Sequence, residues 1–113
     1  MSEPTYREAI EEGRGILRRF EGHQPRAWGA EGAFIELAKQ VGDLAKHIMV
    51  SESYYGEREN KERYASSHAH IEDELVDVFT AVIRLADCYG IDLVEATARV
   101  RQAEDEFLQR QGR

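Results

Sequence analysis

Cysteine is nearly absent: Cys88 carries the only thiol in 113 residues, so no internal disulfide braces the fold. Proline is almost as scarce. Pro4 and Pro25 both precede residue 26, which leaves the rest of the chain free of the strongest helix breaker. No apolar run approaches the roughly 20 residues that cross a bilayer, and the opening MSEPTYREAI lacks the basic-then-apolar layout of a secretory leader. The expected location is cytoplasmic, with no membrane partner. Positive charge is in deficit too, with 15 Lys and Arg against 22 Asp and Glu and a net charge of -7, spread without a basic block or an acidic tail. Electrostatics therefore gives no support for duplex nucleic acid as a partner. P-loop, Ser-His-Asp and G-x-G-x-x-G patterns are missing, and the lone Cys88 has no companion motif for zinc.

What is present is helical patterning over one domain, residues 1–113. Apolar residues recur at three-and-four spacing, which predicts an all-α protein of four helices in a bundle-like arrangement. Thr5 and Glu8 form a capping box after Pro4 and open a first helix to about Phe20, with Ile10, Ile16, Leu17 and Phe20 as its apolar members. EGHQPRAWG reads as a connector. From about Ala30 to Tyr54, Phe34, Leu37, Ala38, Val41, Leu44, Ala45 and Ile48 form a continuous apolar seam. A polar stretch, YYGERENKERYASSH, follows. The third helix, about His68 to Tyr89, stacks Ile71, Leu75, Val78, Val82, Leu85 and Tyr89 and stops at Gly90, which suits a left-handed C-cap. Asp92 and Glu95 form a second capping box for a fourth helix ending near Gln109. The lone Cys88, near that third-helix end, reads as a small apolar residue.

A second helix of about 25 residues is near 38 Å long, longer than the roughly 34 Å diameter of a compact chain of this size. Long antiparallel helices in so small a chain leave apolar flanks uncovered. The fold is thus expected to be completed by oligomerisation, as a two-fold homodimer or a tetramer of dimers.

Charge placement raises the functional question. IEDELVDVF, residues 71–79, sets Glu72, Asp73, Glu74 and Asp77 among residues that favour burial. On a helix His70, Glu74 and Asp77 share one stripe, and the second helix carries a matching stripe of Glu36, Gln40, Asp43 and His47. If the two seams pack, these stripes face each other at the edge and Asp43, Glu74 and Asp77 converge. Glu72 and Asp73 then face solvent. Two carboxylates about 5.5 Å apart repel by roughly 3 kcal/mol at an effective dielectric near 20, so protonation, a basic residue, solvation or a divalent cation must offset them. The plainer alternative is a pair of solvated helix faces.

FIELAKQVGDLAKHIM and, on the next helix, IEDELVDVFTAVIRLADCYGIDLVEA resemble the MazG and dCTP-pyrophosphatase group of all-α nucleoside triphosphate pyrophosphohydrolases, over roughly residues 20–100. That group pairs a helix carrying E-x-x-E with a later helix carrying E-x-x-D ahead of G-[IV]-D-L. The resemblance implies a MazG-type fold and a house-cleaning reaction that releases pyrophosphate from a nucleoside triphosphate and leaves the monophosphate. It assigns the second motif to Glu74 and Asp77, as metal-binding and catalytic acids, and the last acid of the first motif to Asp43. The implied cofactor is Mg²⁺, with Mn²⁺ as a substitute, in keeping with the preference of hard cations for carboxylate oxygen. Gln40 stands where the first motif has its first acid, with Glu36 one turn earlier as further support.

For substrate, the resemblance places Trp28 of PRAWG beside the base, with Arg26 near phosphate; the plainer reading of Trp28 is a hydrophobic anchor. Lys39 is a phosphate candidate or an i,i+4 partner of Asp43. His47 and His70 continue the acidic stripes, toward substrate or toward a carboxylate. Tyr54 and Tyr55 would cover a partner or a base. The family's Lys and Asn near the final helix are missing, with Arg99 or Arg101 as replacements. Gln40 and these losses support an alternative, a MazG-like helical module without turnover that binds nucleotide or protein. A helical adaptor with no ligand is the third reading.

Overall fold

Thr5 opens the first helix as its sequence predicts. In the computed structural model, which describes residues 2–22, 29–54 and 67–113, the Thr5 hydroxyl accepts from Glu8 N and Glu8 Oε1 accepts from Thr5 N. Helix α1 then runs Tyr6–Glu21. Helix α2 spans Ala30–Ser51 and ends short of Tyr54, because Ser53 adopts a left-handed φ of 63° and Tyr54 N turns back to Met49 O. Helix α3 spans Ser67–Cys88. Gly90 takes φ 64° and lets Ile91 N bond Ala86 O, the left-handed closure expected there. Helix α4 spans Leu93–Arg110, and Asp92 Oδ1 accepts from Val94 N and Glu95 N, so this cap rests on the Asp92 carboxylate and not on a reciprocal box. Among the described residues there are four helices and no strand, and none of the helices is long and apolar enough to cross a membrane.

Helix α3 is the centre of the packing, with α2 along one flank and α1 along another. Ile10 and Leu17 of α1 meet the fully buried Ile83, and Phe79, Leu93 and Val94 close around them. Gly13 permits this approach: a Cβ there would lie 2.9 Å from Ile83 Cδ1. Arg14 fixes the same pair of helices, donating from Nε and Nη2 to the two Asp87 oxygens at 2.8 Å each. The start of α4 is tied to α1 by Tyr6–Thr97 (3.3 Å) and Arg7–Asp92 (3.5 Å). Beyond that, no residue of α4 is buried.

The apolar seams pack only in part as their spacing predicts: Leu37 and Leu44 of α2 and Ile71, Val78, Val82 and Leu85 of α3 are half-buried. In α2 the buried stripe is Ala33, His47 and Val50, with Glu36, Gln40 and Asp43 half-buried between them, while Phe34, Val41 and Ile48 stay exposed. In α3, Leu75 and Tyr89 are exposed and the buried positions are Ala81, Ile83, Arg84 and Ala86. Ala33 and Ala81 are small residues on the buried faces of α2 and α3, which suits close helix packing there. Cys88, read as a small apolar residue at a helix end, is exposed.

Candidate functional site

Antiparallel packing of α2 on α3 brings the two polar stripes face to face. His47, near the end of α2, stacks on His70, near the start of α3, with ring centroids 4.7 Å apart and planes 11° from parallel. Further along, Glu36, Gln40 and Asp43 lie opposite Glu74 and Asp77. The polar stripes meet along the edge of this interface, as the sequence pattern predicts: Glu36, Gln40, Asp43 and Glu74 are half-buried and Asp77 is exposed.

Charge coupling across this interface follows from the geometry. Partial burial raises the carboxyl pKa of Asp77 above its ordinary value; Asp73, Glu36 and Asp43 add to the rise and Lys39 opposes it. The Lys39 ammonium is 3.0 Å from Asp43 Oδ2. Its pKa is raised first by that contact, then by the fields of Glu36 and Glu74. Gln40 Nε2 donates to Glu36 Oε1 at 2.7 Å. Glu74 differs from these: its Oε2 is buried and accepts no hydrogen bond among the described residues. A carboxylate oxygen shut off from water without a donor is costly, and a cation is the partner that its chemistry suits.

The donor set fits Mg²⁺ or Mn²⁺ in kind, being carboxylate and amide oxygen around an unpartnered buried oxygen. As the side chains stand, no three His, Cys, Asp or Glu residues are grouped closely enough to hold a metal ion among the described residues. Lys39 occupies Asp43 and Gln40 occupies Glu36. Cation binding at this interface would therefore draw Asp43 away from Lys39.

Beside the acids opens a cleft of about 710 Å³, within the range of small-molecule sites. Helix α1 supplies Glu12, Gly13, Ile16 and Phe20, α2 supplies Glu36 and Gln40, and α3 supplies Asp77, Phe79, Thr80 and Arg84. The contribution of α1 and of Arg84 is absent from the sequence reading. Two signals were nonetheless on display there: a glycine within the first helix, and the lone charge inside AVIRLA, where Arg84 is buried.

Other predicted site residues lie elsewhere. Trp28, Arg26 and Tyr55 fall outside the described residues. Tyr54 is exposed past the end of α2. His47, His70 and Lys39 are not part of the cleft lining, and the histidines face each other. Arg101 pairs with Glu104 at 2.8 Å, and Arg99 lines a shallow groove along α4. Glu72 and Asp73 are exposed, as their helical positions predict. Compared with family models, curated proteins and solved structures, the chain finds no match in any of the three.

Proposed function

We propose that this chain is a Mg²⁺-dependent nucleoside triphosphate pyrophosphohydrolase of MazG-like architecture. The observation that carries the reading is Glu74, whose buried Oε2 has no donor, on the same helix turn as Asp77 and opposite the acids of α2. Glu74, Asp77 and Asp43 would hold the cation, with Glu36 and Gln40 in support. When bound, Mg²⁺ would supply charge neutralisation for phosphate and a lowered pKa for the attacking water.

The chain's own residues do the remainder. Gln40 lines the cleft and donates its amide N–H to Glu36, and its amide oxygen is the group that could accept or ligate there. Ile16, Phe20 and Phe79 form an apolar wall against which a base can lie, and Arg84 places positive charge on the same lining. Lys39, now 3.0 Å from Asp43, would be free to meet phosphate if Asp43 took a cation instead. Trp28 and Arg26 remain base and phosphate candidates through the family resemblance.

One observation favours a second reading. Gln40 supplies a neutral ligand where the resembled family has an acid, and Lys39 already neutralises Asp43. A nucleotide-binding or protein-binding module without turnover would tolerate both. Pyrophosphate release from a panel of ribo- and deoxyribonucleoside triphosphates, with Mg²⁺ or Mn²⁺ and with Glu74→Gln as control, separates the two. Metal-dependent release that disappears in the control supports the hydrolase, and a folded protein silent across the panel supports the module.

A further inference from the structure

We infer that the cleft between α1, α2 and α3 is a binding site for a small organic cation, a protonated primary amine carried on an apolar body. Three carboxylates line it, Glu12 from α1, Glu36 from α2 and Asp77 from α3, against the one guanidinium of Arg84 among the described residues. Arg84 is buried, whereas Glu12 and Asp77 are exposed and Glu36 is half-buried. An incoming ligand therefore meets negative charge first.

The hydrogen bonds already made within the lining sharpen the choice. Thr80 Oγ1 donates to Val76 O at 3.0 Å, and Gln40 Nε2 donates to Glu36 Oε1 at 2.7 Å. A threonine hydroxyl has a single hydrogen, so what Thr80 offers the cleft is lone pairs. The Gln40 amide oxygen and the carboxylate oxygens are acceptors as well. A lining so rich in acceptors suits a ligand that brings its own donors, and a primary ammonium brings three of them. The chain supplies a precedent on the same stripe of α2. There the Lys39 ammonium lies 3.0 Å from Asp43 Oδ2, and its pKa is raised first by that contact and then by Glu36 and Glu74.

The apolar half of the lining sets the ligand's body. Phe20 is 63% exposed and Ile16 43%, although both line a concavity whose wall continues through Leu17 and Phe79. An aromatic or alkyl body removes that surface from water, and a cation over a phenyl face gains further. The volume of about 710 Å³ is that of a small-molecule site. A phosphate group is repelled by the three carboxylates unless a divalent ion accompanies it. An amine needs no such ion, so the site is testable in the metal-free chain.

The experiment is isothermal titration of the full chain, at low salt with EDTA, using phenylethylamine, its neutral isostere phenylethanol and the anion phenylacetate. The amine should bind with a Kd of about 1 mM, at least about tenfold tighter than the alcohol, and the anion should give no heat of binding. Glu12→Gln should weaken the amine about tenfold and leave the alcohol unchanged. Glu104→Gln, which alters an acid of the shallow α4 groove away from this cleft, should change neither. Phe20→Ala should weaken amine and alcohol alike. Equal affinity for amine and alcohol, no amine binding up to about 20 mM, or equal losses in Glu12→Gln and Glu104→Gln would overturn the proposal. The site does not depend on the hydrolase reading: amine binding without pyrophosphate release keeps this site and removes that reading, and release without amine binding does the reverse.

Discussion

Gln40 and Glu36 lie one turn apart on α2, and the Gln40 amide donates to Glu36 Oε1 at 2.7 Å on the half-buried side facing α3. The amide holds a carboxylate in place without a second negative charge. Gln40→Glu replaces that hydrogen bond by an i,i+4 repulsion, at a combined cost of about 1 kcal/mol, or roughly 5 °C in Tm, in the metal-free protein. The added charge also strengthens cation binding. Thermal melts with and without Mg²⁺ should show a lower starting Tm and a larger Mg²⁺-induced rise than in the wild type; an unchanged Mg²⁺ response would remove Gln40 from the site.

Asp77 gives a pH-dependent prediction. Its carboxyl pKa lies above the ordinary value because of partial burial, then Asp73, with Glu36 and Asp43 adding to it. A carboxyl that is a weaker acid when folded binds its proton more tightly in the folded state. It therefore costs stability above the folded pKa, and the cost fades as pH falls through that value toward the unfolded one. Asp77→Asn should raise the Tm of the metal-free protein by about 2 °C at pH 7, with the difference closing below about pH 3.5. The same variant should weaken Mg²⁺ binding. A Tm gap that widens in acid would contradict the assignment.

For Glu74, the decisive comparison is between stability and metal response. Glu74→Leu removes a buried oxygen that has no donor and should stabilise the metal-free chain by about 1 kcal/mol, roughly 5 °C. Stabilisation by Mg²⁺ should be lost together with pyrophosphate release. If the variant instead loses stability and keeps its Mg²⁺ response, Glu74 serves packing and not a cation.

Arg14 holds α1 to α3 through a forked contact to Asp87, both N···O distances being 2.8 Å. Lysine offers one ammonium in place of that planar fork, so Arg14→Lys should cost about 1 kcal/mol, near 5 °C in Tm. Since α1 forms a wall of the cleft, nucleotide affinity should fall with it. Isothermal titration at a temperature where both proteins are fully folded tests the second effect; equal affinities would mean that the cleft tolerates a loosened α1.

Periodicity was enough to read helix positions because the controlling signals are local. Thr5 with Glu8 sets one start, Asp92 another and Gly90 one end, each through contacts within a few residues. The membership of each acidic stripe, Glu74 and Asp77 on one helix and Glu36, Gln40 and Asp43 on the other, was legible for the same reason, since helical spacing alone selects which residues share a face. Trp28 and Arg26, by contrast, sit in a connector whose placement no local rule dictates.

Tertiary packing decided which face each helix turns inward. An amphipathic pattern marks a helix as having an apolar side but does not say whether that side meets its neighbour in the chain or a second molecule. The buried Ala33 and Ala81 and the close approach at Gly13 lie on faces that also carry acids or line the cleft. Glu36, Asp43 and Glu74 came to lie half-buried along the α2–α3 contact with Asp77 at its exposed edge, and Phe34, Val41 and Leu75 were left outside it. The sequence by itself determined four helices and the acidic character of two stripes; only the three-dimensional fit of small residues against one another determined that those stripes meet.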